Sequence, residues 1–215
     1  MAIVRNLSRN LRFYVLVATI LLSIALTCLL RLVTANDQVY IIHLGKFFGL
    51  MAIVYWYIVL VLSPLSKLIG KREWLRQLLF ARRALGVSVA YFALVHALLA
   101  VWGQLGGLPQ LGLLPSIFQL SLWYGVVALG VLLLMAAASF DGVIRWMGFG
   151  RWKWLQRLGY GAGVLAILHI WLIGVHAAVG AVAIPAGAAL VVLGGLEALR
   201  IVRLLTESRQ GATHA

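Results

Sequence analysis

The chain has 215 residues, of which 64% are hydrophobic and 11% charged, and a formal charge of +13. Several apolar runs reach the roughly 20 residues that cross a bilayer, which excludes a soluble domain built on one core. The basic residues cluster at the ends of those runs, a membrane pattern rather than a nucleic-acid footprint, so no nucleic-acid partner is expected. Cys28 is the only cysteine, which leaves no internal disulfide and no C-x-x-C redox pair.

In chain order, the basic stretch MAIVRNLSRNLR precedes an apolar run, as a signal peptide would. The run, 13–33, is longer than a signal h-region of about 7–15 residues and lacks a clear small-x-small cleavage site, so it reads as a retained first helix. Five more spans follow at 46–65, 83–102, 118–139, 158–175 and 179–196. Short connections make consecutive helices antiparallel neighbours. The expectation is an all-α integral membrane protein, a single six-helix transmembrane bundle over residues 1–215. Every lysine and arginine except Arg31 and Lys46 falls at the N-terminus, in the second-to-third loop, in the fourth-to-fifth loop or in the tail. By the positive-inside rule that side is cytoplasmic, with both termini on it. The stretch GQLGGLPQLGLLPSIFQ between the third and fourth spans carries no charge and reads as a turn-rich loop or short interfacial helix. The tail ESRQGATHA is polar, is expected to fray, and contains His214.

An ionisable side chain inside a membrane helix is costly and usually functional. His96 lies thirteen residues after Arg83, and His169 twelve after Arg157. At 1.5 Å per residue both imidazoles sit roughly 18–20 Å from the cytoplasmic edge. Their two helices run in the same direction, so the rings can face each other across a flat group. Ala93 and Gly86 share the face of His96, and Ala166 and Gly159 share that of His169. Small residues there either let helices approach or leave room for an inserted planar ring. Bis-imidazole ligation saturates heme iron and suits electron transfer. Two other readings stand beside it. Each histidine could serve an interhelical hydrogen bond. A zinc or copper site would want further ligands, and no Cys, Asp or Glu lies at that depth. His176 lies seven residues beyond His169, and His43 precedes the second span; both are candidates for an outer site or an electron exit. Arg31, an arginine in an apolar run, is a candidate partner for a heme propionate.

The stretches HLGKFFGLMAIVYWYIVLVLSPL, RRALGVSVAYFALVHA and FGRWKWLQRLGYGAGVLAILH resemble the ferric-reductase-like transmembrane domain family, over about four of the six spans. The resemblance implies a b-type heme between the third and fifth spans, one per chain, with His96 and His169 as the axial ligands of its iron. It implies a multi-pass protein of the bacterial inner membrane. Electrons would arrive from a cytoplasmic flavin reductase and leave to a periplasmic acceptor, a methionine sulfoxide reductase subunit. Arg82 and Gln156 stand fourteen and thirteen residues before the two histidines, at positions where two-heme members carry an inner histidine pair. That leaves a gap of roughly 20 Å to the cytoplasmic surface. An FMN near the inner loops would bridge it, with Arg76, Arg82 and Arg83 as candidates for its phosphate. The same arginines could instead set topology and contact anionic lipid. The alternatives are a ferric reductase or other quinone- or iron-linked heme b carrier, and a non-redox small transporter or assembly factor that would carry no chromophore.

Overall fold

A computed structural model describes residues 2–70, 72–173, 187–189, 191–203 and 206, with side chains from residue 10 onward. Among them every regular element is helical. α1 spans Ala2–Val33, α2 Asp37–Ile69 and α3 Glu73–Leu98. A π-helical turn, Leu99–Gln104, continues α3, and a 3₁₀ helix, Leu108–Leu113, crosses the glycine-rich loop. α4 spans Ser116–Ala137, α5 Asp141–Met147, α6 Phe149–Gln156 and α7 Leu158–Ile173. A further helical segment covers 191–203.

The ends of these helices follow from their sequence. Asn36 caps α2, its side chain accepting the Val39 N–H at 3.0 Å. Gly70 ends α2 at φ 82°, backbone that a Cβ would disfavour. Gly106 and Gly107 take φ 75° and 103° and turn the chain after the π segment. The loop expected to hold turns or a short interfacial helix thus holds a 3₁₀ helix.

Five helical stretches are long and apolar enough to cross a membrane: Asn10–Val33, Asp37–Ile69, Glu73–Gln104, Ser116–Ala137 and Phe149–Ile173. They correspond to the first five expected spans. Half of the expected sixth, 179–196, lies outside the described residues. Large apolar side chains point outward along them, including Leu21, Leu32, Trp123 and Val126. Water would penalise such a surface, and lipid does not.

The interior is two linked clusters. Leu44, Phe48, Ala52 and Phe92 join α2 to α3, with Leu30 of α1. Trp56, Leu60, Val89, Ala90, Ala128, Leu132 and Ala162 join α2, α3, α4 and α7, with Leu193 of the 191–203 segment. α2 packs chiefly on α3, and α4 on α7. Both pairs run antiparallel. Gly45 near the start of α2 meets His96 late in α3, while Ser63 meets Arg82 early in it. Likewise Ser121 meets His169, while Met135 meets Gly159. α1 is fastened to α3 by a buried Thr19–Ser88 hydroxyl pair at 2.8 Å.

Candidate functional site

The two helix pairs bring His96 and His169 together. Their ring centroids lie 6.3 Å apart with an interplanar angle of 79°. The equal depth expected from the arginine spacing is realised, because α3 and α7 each run antiparallel to a partner helix that fixes their register.

Each ring is held the same way. His96 Nδ1 lies 2.8 Å from the Gly45 carbonyl of α2. His169 Nδ1 lies 2.9 Å from the Ser121 carbonyl of α4. A carbonyl oxygen only accepts, so both Nδ1 atoms donate. The neutral imidazole then carries its free lone pair on Nε2. This is the arrangement by which a protein presents an imidazole to a metal with its tautomer fixed. On the α7 side the hold is tighter. The fully buried Ser121 hydroxyl donates to the His169 carbonyl at 2.8 Å and stands 3.2 Å from Nδ1.

One turn beyond each acceptor carbonyl is a glycine that sequence reasoning missed. A Cβ at Gly49 would stand 3.0 Å from His96 Nδ1, and one at Gly125 would stand 2.9 Å from His169 Nδ1. The cradles are therefore Gly45/Gly49 and Ser121/Gly125, the small-x-x-x-Gly pairs in GKFFG and SLWYG. That spacing was a usable signal, on the membrane-length helix preceding each histidine-bearing one in the chain. The two glycines on the histidines' own helices have different surroundings. Gly86 faces open space, and Gly159 packs against Met135 and Leu60.

The other candidates lie elsewhere. Arg31 pairs with Asp37 at 2.6 Å and stacks over the Tyr40 ring. His43 is exposed on α2, and His176 lies outside the described residues. Arg76, Arg82 and Arg83 go three separate ways. Arg76 pairs with Glu73 at 2.8 Å on the surface. Arg82 donates to Ser63 Oγ at 3.3 Å and lies in the electrostatic reach of Tyr160, Glu197 and Arg200. Arg83 binds Asp141 at 2.7 Å and also donates to the Ser139 carbonyl. Gln156 donates to the Met135 carbonyl at 3.4 Å. Arg82 and Gln156 thus each serve an interhelical hydrogen bond. Next to Arg82, Tyr160 donates to Glu197, which also accepts from Arg200 at 3.1 Å.

Among the described residues, no group of three or more His, Cys, Asp or Glu side chains stands close enough to share a metal ion. Outside the spans, Asp141 has its carboxyl held below the usual range by the Arg83 hydrogen bond first, then by the charges of Arg83, Arg12 and Arg145.

Lipid-facing helices around a pair of facing imidazoles, each fixed by a backbone carbonyl, define a multi-pass helical membrane protein with a two-histidine centre. The family model described as ferric reductase like transmembrane component matches residues 48–167, and the chain belongs to that family. The match takes in Gly49, His96, Ser121 and Gly125 and stops two residues before His169. Three similar proteins are each named protein-methionine-sulfoxide reductase heme-binding subunit MsrQ. That of Ralstonia nicotianae is 33% identical over 114 residues, 52% of this chain and 50% of the relative. That of Bordetella pertussis is 30% identical over 124 residues, 57% of each chain. That of Deinococcus radiodurans is 36% identical over 92 residues, 42% of this chain and 44% of the relative. The chain spans about half the length of the relatives it matches.

Proposed function

We propose that the protein is a transmembrane electron-transfer subunit that binds one heme b between α3 and α7, with His96 and His169 as axial ligands. The observation that carries this reading is the facing pair of imidazoles with both Nδ1 atoms committed to carbonyls. For His96 and His169 to hold one iron between them, at about 2 Å per bond, their ring centroids would need to stand about 6 Å apart. The 6.3 Å separation fits that demand. A shared hydrogen bond between the rings does not account for it, since both Nδ1–H groups already have partners. Residues matching heme-binding relatives over half their length add support.

A heme held by His96 and His169 would supply one-electron transfer, and the two histidines would leave it no open position for oxygen chemistry. The chain's part is to hold that geometry fixed. Gly45 and Ser121 orient the rings, Gly49 and Gly125 let them seat against α2 and α4, and the apolar clusters exclude water. Ring orientation set in advance keeps the rearrangement on electron transfer small.

The full reading is a single domain of six spans in the bacterial inner membrane, with both termini cytoplasmic. Electrons pass from a cytoplasmic flavin reductase to a periplasmic acceptor, a methionine sulfoxide reductase subunit, as the relatives' name suggests. Arg82 and Gln156 in place of an inner ligand pair support one heme rather than two. FMN remains part of the proposal as the inner carrier, although Arg76, Arg82 and Arg83 do not converge on one phosphate.

The deciding experiment is the visible spectrum of the purified protein, oxidised and dithionite-reduced, with heme quantified per chain. The expected result is a sharp reduced b-type spectrum at one heme per chain, lost or converted in both His96→Ala and His169→Ala and retained in His43→Ala and His176→Ala. A colourless protein from heme-replete cells overturns the function, and two hemes per chain overturn the single-site reading.

A further inference from the structure

We propose that the α5–α6 segment, residues 140–157, is a docking surface for anionic phospholipid headgroups. Four large aromatic side chains stand out of the protein here: Phe140 is 67% exposed, Trp146 84%, Phe149 66% and Trp154 64%. Exposed cations alternate with them, at Arg145, Arg151, Lys153 and Arg157. Only one acid lies in the segment, Asp141, and Arg83 holds it at 2.7 Å with Arg12 3.7 Å away. Among the described residues, Arg151, Lys153 and Arg157 have neither an ion pair nor a side-chain hydrogen bond.

No single medium suits both sets of side chains. Bulk water penalises the aromatics, and the hydrocarbon layer penalises the cations. The headgroup boundary accepts both, with indole and phenyl rings at the level of the acyl-chain ends and guanidinium groups among the phosphates. The location agrees. Asp141 binds Arg83 at the basic end of α3, and α6 leads directly into the membrane-crossing α7. Uncompensated positive charge selects an anionic headgroup over a zwitterionic one. Charge complementarity thus names the occupant, and the proposal rests on the membrane-spanning reading but not on the heme.

The test uses the full chain in nanodiscs of phosphatidylcholine containing a fixed fraction of phosphatidylglycerol, with bromine on the acyl chains of one lipid or the other. Brominated phosphatidylglycerol should quench tryptophan fluorescence more than the same fraction of brominated phosphatidylcholine does. The excess should vanish in Trp146→Phe/Trp154→Phe, in Arg151→Gln/Lys153→Gln/Arg157→Gln, and in the unaltered protein at high salt. The charge-keeping Arg151→Lys/Arg157→Lys should retain it, which separates lost charge from lost fold. Equal quenching by the two lipids in the unaltered protein overturns the proposal, as does an excess that survives the glutamine substitutions or salt. If equal quenching coincides with shielding of both tryptophans by an acidic soluble protein, the face belongs to a protein partner instead.

Discussion

Gly49 and Gly125 occupy the space that a methyl group would take from the two imidazoles, so alanine at either position must push a ring off its carbonyl. Overpacking of this kind costs about 1–3 kcal/mol. The expected result for Gly49→Ala and Gly125→Ala is lowered heme retention, read as heme per chain after purification. Gly86→Ala is the control: its Cβ meets nothing within 4 Å, and helix propensity alone favours it by about 0.5–1 kcal/mol. Ser121→Ala should be mild, because the ring bonds to the Ser121 carbonyl, which the substitution keeps. Its loss of the hydroxyl bond to the His169 carbonyl should cost about 1 kcal/mol in thermal unfolding, with the heme spectrum unchanged. The histidine pair was legible because arginines mark the membrane boundary and residue counting gives depth. The glycines needed one more step. The expected pairing of consecutive spans, which α2 with α3 and α4 with α7 follow, sets the small-x-x-x-Gly spacing of α2 and α4 near the histidines, but contact of a given residue with a ring is not read from spacing alone. Of the glycines on the histidines' own helices, Gly159 is filled by Met135 and Leu60, while Gly86 meets open space.

At the level of the helices, hydropathy located the spans and missed how their ends are tied. α3 begins at Glu73, ten residues before the expected span, and passes into a π turn at Leu99–Gln104 that no periodicity announced. Asp141 is the main tie at the basic end, linking α5 to Arg83 of α3 and, more distantly, to Arg12 of α1. Its folded carboxyl lies below the ordinary value of 3.8. The ion pair therefore stabilises the fold fully above that value, and the contribution disappears as pH falls through the lower, folded value. Asp141→Asn should destabilise the protein modestly at neutral pH, since the carboxylate is largely exposed. It should also flatten the acid limb of a melting-temperature profile. An unchanged acid limb would remove Asp141 from the account. The Thr19–Ser88 bond between α1 and α3 is the other tie, and a double-mutant cycle with Thr19→Val and Ser88→Ala should return a coupling of roughly 0.6 kcal/mol.

For the whole molecule, the placement of charge and the placement of the histidines depend on one another. If the basic loops face the cytoplasm, the imidazole pair lies toward the far side, and an electron entering from the cytoplasm must cross the inner half, where Arg82, Tyr160, Glu197 and Arg200 gather. If the orientation were reversed, the imidazole pair would lie toward the cytoplasm and the proposed flavin reductase would dock at the opposite end of the bundle. Orientation is thus the hinge of the functional reading, and it can be tested without cofactors. Cys28 is the only thiol, so Cys28→Ser provides a clean background. In that background Gln110→Cys, in the 3₁₀ loop, should react with a membrane-impermeant maleimide in intact cells. Lys153→Cys, on α6, should react only after permeabilisation. Labelling of position 153 in intact cells, with protection of position 110, would overturn the proposed orientation and place the imidazole pair toward the cytoplasm, while leaving the histidine pair and its cradle as they are.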